Sequence, residues 1–489
     1  MEKSLSNDAL SSHPTQTTIK PKYKKNKKKC SGCNKIRTPS IENHQICYTC
    51  NKAKKRIIPS GNKVIDDFIK YVQTNFSKRN GKMIFVPYDK FENIEFIGEG
   101  GFSKIYKATW VDCKISDVGT PIYPIQNKSE TIALKKLNNS NNITSKDLNE
   151  LKMFYLYSLN GYLWDIYKSH VNVYYGITQD PTTQDLIFIM PYYKSDLTRY
   201  ITSGFYNINW SLKLGRLKDT IRGLVEIHKG NIIHRDLHSG NILIRVGAKI
   251  CDLGTSKSAT ESTTELTDNE EEIYGIIPYV APEVLQGKKY TRASDIYSFG
   301  MIMWEVMVGR RPFWDRKHDT ELIIEICDGL RPPIVTNAPD GYIDLMKKCW
   351  HPDTEKRPSA IEILKKFERI RGYDIEIIKS PDIGPVTTNN PGAIYKSRYL
   401  SSMIKSAAST RSLRSQSITS ELGKRKFEDI QFENYFINDD ESIKKIKFIK
   451  DENYEYATKE LELDIEINSK RSNDDGYITS EIDFDINTF

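Results

Sequence analysis

Ile233-His234-Arg235-Asp236-Leu237-His238-Ser239-Gly240-Asn241-Ile242-Leu243 is the run on which the reading of this chain turns. It sets Asp236 and Asn241 five residues apart on a polar stretch between apolar flanks. A carboxylate so placed can accept the proton of a hydroxyl, and a side-chain amide oxygen can hold a hard cation. Downstream, Cys251-Asp252-Leu253-Gly254 offers a second carboxylate. His234-Arg235-Asp236 alone would be a weak signal. The full run followed by Asp252 is a strong one.

Upstream, Phe91-Glu92-Asn93-Ile94-Glu95-Phe96-Ile97 alternates like a strand and enters Gly98-Glu99-Gly100-Gly101-Phe102-Ser103-Lys104-Ile105-Tyr106. Glycines at 98 and 100 let backbone N–H groups approach a phosphate. Gly98 lies 37 residues before Lys135 in Thr131-Ile132-Ala133-Leu134-Lys135. Strand alternation puts Lys136 on the opposite face from Lys135. Residues 113–130 read as a surface insert. Residues 142–160 read as a helix with Asp147, Leu148, Leu151, Phe154 and Tyr155 in register and Glu150 among them. Residues 186–190 form an apolar strand that ends at Met190 and leads to Pro191-Tyr192-Tyr193. Residues 212–229 form a long amphipathic helix.

These parts, in this order, resemble a eukaryotic protein kinase over residues 89–371. The match to H-R-D-L-x-x-x-N, to a Gly-rich loop with Ser103 at its third glycine and to a V-A-I-K strand carries the resemblance. It implies an α+β, bilobal protein kinase-like fold, with a small β-rich N-lobe and a larger helical C-lobe. It implies ATP and Mg²⁺ as cofactors. Asp236 would be the base, Lys135 the phosphate ligand paired with Glu150, and Asn241 and Asp252 the Mg²⁺ ligands. Gly98, Gly100, Ile105, Ala133, Met190, Tyr192, Tyr193 and Leu243 would surround the nucleotide, with Met190 as gatekeeper. Residues 255–274, rich in Ser, Thr and acid, stand where kinases keep the activation loop, and Arg235 would await a phosphate there. Asp295 would brace the catalytic loop, and Arg357 would close an ion pair on Glu283. The details H-R-D-L-H-S-G-N and P-Y-V-A-P-E resemble the tyrosine-kinase-like group and are similar to expanded kinase families of some fungi. Three positions depart from the usual pattern. Leu253 stands for Phe in D-F-G. His238 replaces the Lys of many serine/threonine kinases, and Ile276 replaces their Thr. The last two leave the Ser/Thr-versus-Tyr choice open, with Ser/Thr favoured. A pseudokinase scaffold and a zinc-dependent nucleic-acid binder with an accessory kinase fold are the rival readings.

Outside this region the composition changes. Residues 1–88 carry 19 Lys and Arg against 5 Asp and Glu, although the whole chain of 489 residues is only +8. Residues 1–29 form a basic arm expected to be disordered, which permits nucleic acid or nuclear import without showing either. Cys30-x-x-Cys33 and Cys47-x-x-Cys50 are separated by thirteen residues, a spacing that suits one structural Zn²⁺. His44 is a less favoured alternative ligand. Residues 51–88 read as a linker, in which the apolar helical spacing at 64–72 predicts a helix that packs on the next domain or links to it. Residues 372–489 read as a mostly disordered tail, with one amphipathic helix conceivable at 455–467. Between 451 and 489 there are 12 acidic and 3 basic residues. No membrane span, secretory leader or lipidation signal is expected. The expected setting is intracellular, cytoplasmic with nuclear access, with protein substrates and reduced cysteines.

Overall fold

The computed structural model describes residues 29–36, 45–54, 57–75, 83–115, 121–159, 169–259, 272–371 and 375–422. The basic arm, His44, the stretch at 455–467 and residues 260–271 lie outside these. Among the described residues no helix is long and apolar enough to cross a membrane.

The N-terminal lobe is a six-stranded sheet. Its order is Ile84–Phe85, Gly176–Gln179, Leu186–Pro191, Ser129–Leu137, Ser103–Val111, Phe91–Glu99. The central strand Ser129–Leu137 reads Thr-Ile-Ala-Leu between polar ends. β-branched and apolar residues suit a position flanked on both sides, and Ile132, Ala133 and Leu134 are buried there. Ile84–Phe85 pairs in parallel with Gly176–Ile177 and extends the sheet at one edge.

That edge strand belongs to the stretch expected as a linker; its helix packs on the lobe, the first of the two roles its apolar spacing predicted, and the strand corrects the linker reading of the rest. Helix Lys63–Asn75 is capped by Asn62, whose Oδ1 accepts from Val64 N at 2.9 Å. Its apolar face, Ile65, Phe68, Ile69 and Val72, is at most 3% exposed. The Phe68 ring meets Tyr155 edge-on at 6.2 Å. Burying four such side chains stabilises the packing by several kcal/mol, at about 1.5–3 kcal/mol each. The segment is therefore a packed part of the lobe.

The helix expected over 142–160 is shorter, Asn149–Leu159. Thr144 N and Oγ1 both donate to Asp147 Oδ2, at 2.7 and 2.8 Å. Such side-chain bonds offer the backbone a turn that competes with helix. The insert at 113–130 is tied down in its described part. Cys113 is fully buried and Tyr123 packs on Trp110 at 5.5 Å.

The C-terminal lobe is helical. Trp210–Lys229 starts at an Asn209 cap and ends with His228 and Lys229 in its last turn, which complements the helix dipole. Arg292–Val308 opens with a capping box of Thr291 and Ser294. It is apolar all round because it is buried all round, as a central helix must be.

The tail departs most from expectation. Residues 375–422 are not unstructured. Ile383, Leu400, Ile404 and Ala407 are buried. Arg398–Tyr399 forms a short strand, and Ser401–Leu422 forms a helix. The helix lies against Thr320–Cys327, with Arg414 paired to Glu321 and Arg411 to Asp328.

Candidate active site

Lys135 sits mid-sheet, opposite Ile105 on one side and Phe188 on the other. Its ammonium is 2.8 Å from Glu150 Oε2 and 2.9 Å from Asp252 Oδ1. Burial works to lower its pKa, but the Asp252 and Glu150 carboxylates outweigh it, and the net direction is upward. Lys136 points the other way and pairs with Asp180 at 2.7 Å. Alternation along the strand separates two adjacent lysines into two unrelated roles.

Helix Asn149–Leu159 delivers Glu150. The Tyr174 hydroxyl donates to Glu150 Oε1, so both carboxylate oxygens are occupied. Burial pushes the Glu150 pKa up against the opposing pull of Lys135. The neighbouring Asn149 amide donates to the Gly254 carbonyl at 2.8 Å and to the Ser256 carbonyl at 3.1 Å. One turn of helix thus holds both the lysine and the segment that follows Asp252.

The loop 233–243 is fixed from beneath. Asp295 accepts from His234 N at 2.9 Å and from Arg235 N at 3.0 Å, and it meets His228 Nε2 at 2.8 Å. Arg235 has φ of 73° and Asp252 has φ of 62°. Left-handed backbone at a non-glycine residue costs energy and persists only where the surroundings hold it. Asn241 Nδ2 donates to the Asp236 carbonyl at 2.9 Å. That use of the amide nitrogen leaves the amide oxygen as an acceptor for a cation.

Asp236, Asn241 and Asp252 come together from two loops. Burial lifts the Asp236 carboxyl to about 6, with a hydrogen bond from Ser397 pulling down and the Asp252 charge adding to the rise. Burial opposes ionisation of Asp252 too, but the Lys135 ammonium wins and holds it below the usual carboxylate range. Two nearby acids are thus driven apart, one toward proton exchange and one toward permanent charge. His238 Nδ1 accepts from Gly240 N at 3.1 Å, which directs the ring's Nε2 toward Asp236 Oδ2, 3.9 Å away. Burial lowers the His238 pKa to about 3, so the ring is neutral at ordinary pH. It is therefore no charge substitute for a lysine.

Apart from Gly100 in the glycine loop, the candidate nucleotide-binding residues lie on strands Phe91–Glu99, Ser103–Val111, Ser129–Leu137, Leu186–Pro191 and Ile242–Ile244 and on the segment just after Pro191. Ala133 lies opposite Met190 in the sheet, both buried. Ile105, Tyr192, Tyr193 and Leu243 are half-buried. Asn172 Nδ2 reaches the Met190 sulfur at 3.5 Å. In the glycine loop, Gly100 N donates to the Ser103 carbonyl at 2.8 Å, and the Ser103 side chain is buried beneath the tip.

Elsewhere, Arg357 makes a two-pronged bond to Glu283 at 2.7 and 2.8 Å. Ser256, one of the hydroxyls in the stretch 255–274 where a phosphate was expected to meet Arg235, is fully buried, and its hydroxyl donates to the His234 carbonyl. It lacks the exposure an acceptor needs. Of the other loop hydroxyls, those at 260–267 lie outside the described residues.

The four cysteines of the double knuckle converge. Their sulfur atoms all lie within 4.8 Å of one another. Cys33 and Cys47 are 3.8 Å apart, which matches the sulfur spacing of about 3.8 Å implied by tetrahedral Zn–S bonds of ~2.3 Å. Cys47 N and Gly32 N donate to Cys30 Sγ at 3.1 and 3.3 Å. A Cβ on Gly32 would lie 3.1 Å from Cys50 Sγ, a tight contact, so a larger residue there would press on the cysteine cluster. The donor set and its spacing fit zinc.

Among the contacts with no counterpart in the motif reading, two hold the acids themselves. Tyr174 holds Glu150, and Ser397 holds Asp236. Both come from positions fixed only by the fold. The tail carried one usable signal, the helical spacing of Leu400, Met403, Ile404 and Ala407.

Comparison with known proteins agrees with this geometry. A family model described as protein tyrosine and serine/threonine kinase matches residues 91–367. The chain is 29% identical over 306 residues to stress-activated protein kinase alpha of Dictyostelium discoideum, covering 59% of this chain and 43% of that one. It is 29% identical over 304 residues to mitogen-activated protein kinase kinase kinase 7 of Bos taurus, covering 59% and 45%. It is 27% identical over 297 residues to a putative serine/threonine-protein kinase/receptor of Acanthamoeba polyphaga mimivirus, covering 59% and 17%. The match thus spans less than half the length of these relatives.

Proposed function

The chain belongs to the protein tyrosine and serine/threonine kinase family, and from that premise we propose that it transfers the γ-phosphoryl group of ATP to Ser or Thr hydroxyls of proteins in intracellular signalling. The observation that carries this reading is the Lys135 ammonium bridging Glu150 and Asp252 at 2.8 and 2.9 Å. A pseudokinase would not need this buried ion-pair network beside an intact Asp236 and Asn241.

In this mechanism Asp236 accepts the proton of the acceptor hydroxyl. Its raised pKa suits exchange near neutral pH. Lys135 neutralises phosphate oxygens, and Glu150 keeps it aimed while Tyr174 keeps Glu150 aimed. Gly98 and Gly100, lacking a Cβ, would let the glycine loop lie close over the phosphates, and Ile105, Ala133, Met190, Tyr192, Tyr193 and Leu243 would receive the base. Asp252 and the Asn241 amide oxygen would hold Mg²⁺, which when bound supplies charge neutralisation to the transferred phosphoryl group. Most of the rate enhancement comes from positioning and electrostatics. The Ser/Thr preference is supported by the serine/threonine description of one relative. Cys30, Cys33, Cys47 and Cys50 would hold one structural Zn²⁺ that organises a segment too small for a core of its own. Metal analysis of the purified chain should find zinc, and Cys→Ser changes at 30 and 33 should remove it.

The test of the kinase reading is incubation with MgATP and casein, with phosphosites identified by mass spectrometry. Phosphoserine and phosphothreonine are expected. Phosphate on tyrosine alone would overturn the acceptor class. No transfer at all, with ATP binding intact, would favour the scaffold.

A further inference from the structure

Residues 375–400 cross the C-terminal lobe and end inside the cleft. Tyr206 and Arg310 hold the Ile383 carbonyl, and Arg310 also holds the Gly384 carbonyl. His318 N donates to the Gly392 carbonyl at 2.9 Å. The Tyr395 hydroxyl donates to the Pro312 carbonyl at 2.9 Å, and its ring meets His318 at 4.8 Å. Beyond Ser397, Arg398 and Tyr399 pair antiparallel with Gly275 and Tyr274. Leu400 is fully buried, and its N–H donates to the Ile273 carbonyl at 2.8 Å. The segment is thus anchored by side chains before Ser397 and by a strand pairing after it. This is the way an extended peptide adds to an exposed backbone edge.

Between the anchors, Ser397 Oγ donates to Asp236 Oδ2 at 2.5 Å. The glycine loop closes over the same residue. A Cβ on Gly101 would lie 2.1 Å from the Ser397 carbonyl oxygen, so no other residue allows this approach. Lys396 meets Glu99 at 2.5 Å, across the start of that loop. Two elements, the loop that carries Asp236 and the glycine loop, therefore close on residues 396–397, and the Ser397 hydroxyl faces the proposed base with its proton toward the carboxylate. A segment that only blocked the cleft would need no hydroxyl at this point.

We propose that Ser397 is a phosphorylation site of this protein, modified by the Asp236 of the same chain, with residues 395–400 acting as a tethered substrate. The inference rests on the kinase reading above. In the reaction Ser397 Oγ bonds to the γ-phosphorus of ATP as the bond from that phosphorus to the β,γ-bridging oxygen breaks. ADP leaves with the electron pair, and the Ser397 proton passes to the Asp236 carboxylate. The product carries about −1.5 to −2 charge at Ser397, directly against Asp236. Like-charge repulsion then drives the segment out and opens the cleft to other proteins. Phosphorylation here is the chain's own release from its tethered substrate.

The test uses the full chain, treated with phosphatase and then given MgATP with casein present. Site-resolved mass spectrometry follows Ser397 at several protein dilutions. An isotope-labelled Asp236→Asn chain is mixed in as a passive acceptor. The expected result is phosphate at Ser397 of the active chain, with a half-time unchanged by dilution, and none at Ser397 of the labelled chain. Ser397→Ala should lose that phosphopeptide, whereas Ser402→Ala, on the exposed helix surface, should keep it. Phosphate on casein with Ser397 bare would overturn this proposal and leave the kinase reading standing. Equal labelling of the passive chain at Ser397 would overturn the tether. If neither Ser397 nor casein is labelled, the kinase reading fails first and this proposal with it.

Discussion

Two lysine–carboxylate contacts in the cleft share a chemistry and differ in almost everything else. Lys135 meets Glu150 in a buried pair, with side chains only 7% and 4% exposed, and reaches Asp252, whose side chain is 36% exposed. Lys396 meets Glu99 at the mouth, where both side chains are about half exposed (53% and 49%). Buried charges are expensive to desolvate and therefore tolerate one arrangement, whereas exposed pairs are screened and exchangeable. The first contact holds Lys135 in one place, as the proposed mechanism needs. The second is the kind of contact that a segment proposed to leave the cleft can give up.

The contrast can be sharpened by a third pair, Arg357 and Glu283, where the Arg357 side chain is fully buried. Arg357→Met leaves the Glu283 carboxylate buried and uncompensated. It should destabilise the fold by about 3–5 kcal/mol, read as a lowered midpoint in urea with an unchanged slope. A wild-type midpoint would show that burial does not set the strength of these pairs.

Asp236→Asn is the next largest effect. It removes the proposed base from the buried network while keeping its size. Turnover should fall at least ~10²-fold with nucleotide binding nearly unchanged, measured by casein phosphorylation and ATP titration. Wild-type turnover in this variant is incompatible with a base at Asp236.

A smaller, graded effect comes from pH. The Asp236 carboxyl is raised to about 6 by burial. A protonated carboxyl cannot accept the acceptor's proton, so turnover should be flat above that value. Below it, turnover should fall about tenfold per pH unit. A profile flat down to the ordinary carboxylate range would mean the carboxyl is less desolvated than its surroundings imply.

The smallest effect is expected at the exposed pair. Lys396→Ala should leave the Ser397 labelling rate nearly unchanged, because the anchors at Tyr395 and Leu400 remain. A large loss would mean that the exposed contact, rather than the backbone pairing, holds the segment.

Much of the site was legible before any coordinates. Asp236 and Asn241 are spaced so that one short loop must carry both, and period-two alternation alone separates Lys135 from Lys136. Glu150 was legible from helical register, although the helix begins later than expected because Thr144 and Asp147 bond to each other instead. The neutral state of His238 was not legible. Its pKa is lowered by desolvation within the folded cleft, which no local pattern specifies.

The double knuckle, the glycine loop and the catalytic loop are short-range objects. Spacing along the chain is enough to determine them, since their groups meet within a few turns of backbone. The tail at 375–400 is of another kind, and so is the choice between packing and linking for helix Lys63–Asn75, whose apolar stripe was legible. The order of both depends on which surface lies beneath them. Ser397 reaches Asp236 across 161 positions of sequence. Closing so long a loop carries an entropic cost that rises only slowly with its length and is outweighed by the contacts of Ile383, Tyr395 and Leu400. Local sequence encodes none of that balance. It exists only once both lobes have folded and the cleft has a floor, a roof and an open edge to pair with.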